Sequence, residues 1–119
     1  MKLNLLVAVV TMYAVLGVAN AEERLGVTIY PGAKYDADTS KAVKDMLKTE
    51  AACFTTADSI AKVAAFYQQQ GLKAVGDVLK EGALFKKGDV DVTIQSPWMN
   101  MKTGTMMKDT LVSIVKLKQ

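Results

Sequence analysis

Met99, Met101, Met106 and Met107 place four of the chain's seven methionines inside the segment 98–107, beside Trp98, the only tryptophan. Thioethers are soft donors that suit Cu(I) and Ag(I), and an aromatic face beside a Met-x-Met pair offers a cation a further partner. The same residue types also fill irregular cores and form adaptable contact surfaces. Three uses of the segment therefore stay open. It can pack as a loop over an open sheet face, contact a protein or apolar ligand through Trp98, Met99 and Met101, or hold a cuprous ion with Met99, Met101, Met106 and Met107 as ligands.

Other chemistry is sparse. The chain contains no histidine, which removes Ser-His-Asp and Cys-His constellations, histidine-bearing zinc sites and haem attachment through Cys-x-x-Cys-His. Cys53 is the only cysteine. With no imidazole to serve as its base it is not expected to be a catalytic thiolate. It reads as a small buried hydrophobe in a strand, with an intermolecular disulfide as the other possibility in an oxidising compartment. Asp89 and Asp91, two apart on an expected strand, face one side and read as solvated carboxylates. Neither a phosphate-cradling glycine loop nor a dinucleotide fingerprint is present. No enzyme activity and no cofactor are expected.

The segment 55–71, TTADSIAKVAAFYQQQG, is the element around which the rest is organised. Thr55 and Asp58 have capping-box spacing, which predicts a helix starting near Thr56. Ile60, Val63, Ala64 and Tyr67 recur at i, i+3, i+4 and i+7, with Phe66 widening that apolar face and Lys62, Gln68 and Gln69 left to water. Gly71 can close the helix in the left-handed conformation, with Leu72 folding back on the last turn. A helix this short is marginal alone and needs a sheet as its partner.

A second, minor helix is expected over 36–50, capped by Asp38 or Ser40, with Ala42, Val43, Met46 and Leu47 as its stripe. Strands are expected at 25–30, 51–55, 72–78, 83–86, 90–95 and 111–118. Val90, Val92 and Ile94 alternate inward, and the last strand, apolar on both sides, belongs in the centre. Pro31-Gly32 after Tyr30 is a type II turn signal. Together these predict an α+β fold, an antiparallel sheet of about four to six strands with both helices packed on one face.

Tyr30-Pro31-Gly32-Ala33, followed by Thr56, Asp58, Ser59, Val63, Phe66, Tyr67 and Gly71, resembles small exported bacterial proteins and lipoproteins of unassigned function. Those carry a YPGA segment and then a T-x-D-S helix ending in FY and a glycine. The chain departs from them in having Leu72-Lys73 where a Gly-Trp pair is common. The resemblance covers about half of the residues after 21 and implies a fold but no catalytic residue.

Residues 1–21 have the form of a secretory signal peptide. Lys2 precedes an apolar run over 3–18, shorter than the roughly 20 residues that span a bilayer, and Ala19-Asn20-Ala21 suits signal peptidase. No cysteine follows for lipid attachment. Cleavage would leave 22–119 as a single α+β domain, periplasmic or secreted, with no membrane anchor. The chain's 15 basic and 12 acidic residues give a net charge of +3, with no basic stripe to suggest nucleic acid. The expected function is non-enzymatic binding in the bacterial cell envelope, to a protein or an apolar ligand. The alternatives are a periplasmic Cu(I) or Ag(I) binder using 98–107 and a structural subunit of an extracellular assembly, joined edge to edge through the long terminal strand.

Overall fold

The computed structural model describes residues 22–117; the expected signal peptide, 1–21, lies outside the described residues. In chain order the elements are β1 (Glu23–Arg24), β2 (Val27–Thr28), β3 (Lys34–Tyr35), α1 (Ala37–Leu47), β4 (Ala51–Thr56), α2 (Ile60–Gln69) and β5 (Lys73–Ala74). There follow β6 (Gly82–Lys87), β7 (Val90–Gln95), β8 (Trp98–Asn100), β9 (Thr105–Met107) and β10 (Thr110–Lys116). The fold is α+β. Six strands form one antiparallel sheet in the order β3-β4-β10-β7-β6-β5, and β1-β2 and β8-β9 make two small ribbons.

The register builds the main core in rows. Ala52, Ile114, Val92 and Phe85 lie side by side across four strands, and Phe54, Val112, Ile94 and Ala83 form the next row on the same face. Onto these rows α2 lays Ile60, Val63, Ala64 and Tyr67, all buried as their spacing predicts, and Val27, Ile29 and Tyr30 close the side. Each large side chain among them contributes roughly 1.5 to 3 kcal/mol by leaving water. The predicted helix ending is present in full. Gly71 has φ +85°, its N–H donates to the Gln68 carbonyl at 3.0 Å, and the Leu72 N–H reaches the Tyr67 carbonyl at 3.1 Å. The Pro31-Gly32 turn also closes as expected, the Ala33 N–H donating to the Tyr30 carbonyl at 3.1 Å.

Four expectations need correction. Helix α2 begins at Ile60, because Thr55 and Thr56 are claimed by pairing with Leu111 and Thr110; Ser59 caps it, accepting from the Lys62 N–H at 3.2 Å. The expected strand over 72–78 pairs only at Lys73–Ala74, leaving Val75, Val78 and Leu79 exposed. Helix α1 is capped by Asp36, which accepts from the Thr39 N–H at 3.0 Å, and its Met46 and Leu47 are exposed to solvent.

The helices do not share a face. On β4 the side chains alternate, so Phe54 faces α2 while Cys53 faces the other way, into a second cluster with Trp98 and Leu111. Helix α1 covers that second face. Its Val43 packs on the cluster, and its buried Ser40 hydroxyl accepts from the Cys53 N–H at 2.7 Å while donating to the Asp36 carbonyl at 2.7 Å. The physical reason lies in β10, whose Leu111, Ser113 and Val115 are buried as well as Val112 and Ile114, at 5 to 9% exposure against 0 to 1%, so both of its faces require cover.

Candidate functional site

The segment 98–107 is a β-hairpin, not a loop. Its backbone is set by Asn100, whose side-chain oxygen accepts from the N–H groups of Lys102 and Thr103 at 3.0 and 3.2 Å. Gly104 takes φ +72° and donates to the Asn100 carbonyl at 2.7 Å, and Thr105 donates to the Thr103 hydroxyl. Lys102 joins the hairpin tip to the first turn of α1 through Asp38 at 3.3 Å.

Strand alternation then sorts the candidate residues. Trp98 opposes Met107, and Met99 opposes Met106. The first pair points inward. Trp98 is only 2% exposed, its indole N–H donates to the Asp109 carboxylate at 2.8 Å, and Met107 packs half-buried against Cys53 and Leu111. The second pair points outward, Met99 at 48% and Met106 at 55% exposure, with Met101 at 59% on the turn. Two expectations change. Trp98 belongs to the core of the second face and not to a contact surface, and the four methionines are not one ligand set, since alternation turns Met107 away from the other three. Met99, Met101 and Met106 are what remains, a thioether face ordered from below by the Trp98 anchor. The paired strands leave no periodic signal in the sequence because Trp-Met-Asn and Thr-Met-Met alternate only once they are opposed; Asn100 and Gly104, four apart, are the turn signal.

A second convergence involves residues 28 positions apart, for which no local pattern exists. The Tyr30 hydroxyl donates to the Asp58 carboxylate at 2.5 Å, and the Tyr30 ring meets Phe66 edge-on at 5.3 Å. Phe66 packs edge-on against Tyr67, whose hydroxyl donates to the Thr28 carbonyl at 2.8 Å. The YPGA turn and the D-S…FY helix thus fasten each other. Burial first, then the hydrogen bond and charge of Asp58, push the Tyr30 phenol up to about 12, so it stays protonated near neutrality and is no base. Beside it lies a cleft of about 490 Å³ whose lining includes Lys34, Asp58 and Asp109.

Cys53 is fully buried, and that burial raises its thiol above the ordinary range although Ser113 and Ser40 hydrogen-bond to it. It is not available as a nucleophile. Asp89 lies in the β6–β7 turn and not on the strand, while Asp91 pairs with Lys86 across the strands at 2.9 Å. Among the described residues no group of three or more Cys, Asp or Glu side chains is placed to hold a metal ion, and no helix is long and apolar enough to cross a membrane.

The class these features define is an α+β domain on a six-stranded antiparallel sheet, helices on opposite faces, with a methionine-faced hairpin over one of them. Compared with known protein families, curated proteins and solved structures, the chain matches none.

Proposed function

We propose that this is an exported, non-enzymatic binding domain of the bacterial cell envelope, and that its recognition surface is the outward face of the β8–β9 hairpin. The observation that carries the reading is the exposure of Met99, Met101 and Met106 together on a hairpin whose backbone is fixed by Asn100 and whose inner side is anchored by Trp98. A folding core has no use for three solvated thioethers on one small ribbon, whereas an ordered, adaptable apolar face is what a binding surface requires. Export rests on the form of residues 1–21, and the absence of histidine with an inaccessible cysteine supports a non-enzymatic role. The assembly-subunit alternative loses its reason. β10, the strand it relied on, is paired on both sides, and the two sheet edges are the two-residue strands β3 and β5.

Oxidative footprinting tests this without knowledge of the ligand. Met46, at 59% exposure, is the internal reference. In cells exporting the full chain, mild peroxide should oxidise Met99, Met101 and Met106 more slowly relative to Met46 than it does in the purified protein. Equal relative rates in both settings would remove the hairpin as a recognition surface.

A further inference from the structure

We infer that the hairpin face takes one soft monovalent metal ion, Cu(I) or Ag(I), through the sulfurs of Met99, Met106 and Met101. This rests on the reading of that face as the recognition surface and names its ligand. Met99 and Met106 are direct cross-strand partners on the same side of the ribbon, which puts their β-carbons about 4.5 to 5.5 Å apart. Met101 lies one residue past the end of β8, at the start of the Asn100 turn, and is 59% exposed. From three such positions, flexible thioether arms can bring their sulfurs to one point outside the ribbon.

The donor set selects the ion. It is neutral and all-sulfur, with no carboxylate, imidazole or thiolate to attract Zn²⁺, Ca²⁺ or Cu(II), and a soft cation of low charge is what thioethers hold. The nearest cationic group in sequence, the Lys102 ammonium, is engaged by Asp38 at 3.3 Å, which offsets its repulsion of an incoming cation. The site differs from the one expected from sequence: Met107 and Trp98 face the core and take no part. The backbone beneath is already fixed by the Asn100 turn and the Trp98 to Asp109 bond, so binding orders only side chains.

The test is an anaerobic titration of the exported chain with Cu(I) against a chromophoric chelator, with copper X-ray absorption on the loaded protein. The expected result is withdrawal of one equivalent into a shell containing sulfur alone, abolished by Met99→Leu with Met106→Leu and unchanged by Met107→Leu and by Cys53→Ser. Leucine keeps the face apolar, so the double variant removes the metal ligands while preserving a contact surface. Both sites of substitution are exposed, and an unchanged thermal midpoint verifies that the variant is folded. Failure to withdraw copper, or withdrawal that survives the double variant, overturns the proposal. If copper is not taken up but footprinting still shows protection in the envelope, the recognition surface stands with an apolar protein segment as its occupant. If neither is seen, both readings fall.

Discussion

Tyr30 and Asp58 show how a single hydrogen bond joins distant parts of the chain. The phenol is buried and the carboxylate side chain is 38% exposed, with Lys62 a further 3.9 Å from it. Replacing Tyr30 by phenylalanine should therefore destabilise by about 1.5 kcal/mol, the low end for a bond to a charged group, since Asp58 can turn to water. Chemical denaturation measures this, and no change in midpoint would deny the bond its role. Asp58→Asn removes the charge but not the burial, so the Tyr30 phenol should move down from about 12 without reaching its ordinary value. Ultraviolet phenolate titration of the two proteins would show it. Cys53 offers a complementary probe: sealed between α1 and β10, its thiol should react with a disulfide reagent only as fast as the protein opens. Rapid labelling of the native protein would contradict the second-face core.

At the scale of elements, the hairpin depends on Trp98 more than on any methionine. Trp98→Ala should destabilise by about 3 to 5 kcal/mol through the cavity it leaves, whereas Trp98→Phe keeps most of the volume and loses the Asp109 bond, for about 1.5 to 2 kcal/mol. Equal thermal shifts for the two would mean that packing plays no part. Ser59→Ala at the start of α2 should cost about 1 kcal/mol; the same substitution at Thr55, where a cap was expected, leaves that helix end untouched. Which features were readable from sequence follows from the same residues. Ile60, Val63, Ala64, Tyr67, Gly71 and Leu72 act within one helix, so their spacing carries the information. Val90, Val92 and Ile94 announce a strand by the same locality. The start of α2 is not legible locally because the fate of Thr55 and Thr56 is decided by residues 110 and 111. The side taken by α1 hangs on the Ser40 to Cys53 contact across 13 positions, and the sorting of the methionines on a pairing that exists only when the ribbon closes. Periodicity reports neither.

For the molecule as a whole, the phenols make stability depend on alkali. Burial raises both Tyr30 and Tyr67 above the unfolded value of 10.0. A folded-state value that is raised means the stabilisation is complete below pH 10 and is lost as pH climbs, because the unfolded chain releases protons that the folded one retains. Stability should fall from about pH 10 by up to about 1.4 kcal/mol per pH unit for each phenol, and the Tyr30 share should level off near pH 12. Denaturation midpoints that stay flat from pH 9 to 11.5 would count against both buried phenols. The sheet also has one indispensable member. β10 joins β4 to β7 and supplies Val112 and Ile114 to one core and Leu111 to the other. A chain ending before Thr110 should show no cooperative unfolding transition, and proteolysis should find it open throughout.

That central strand follows all the other strands of its sheet in the chain. On the export reading, a polypeptide threaded leader-first through a narrow translocation channel delivers β10 after everything it must join. Until then β3-β4 and β7-β6-β5 have crossed without the strand that joins them into one sheet. Topology itself then times folding, placing closure of the sheet after its last structural strand has crossed.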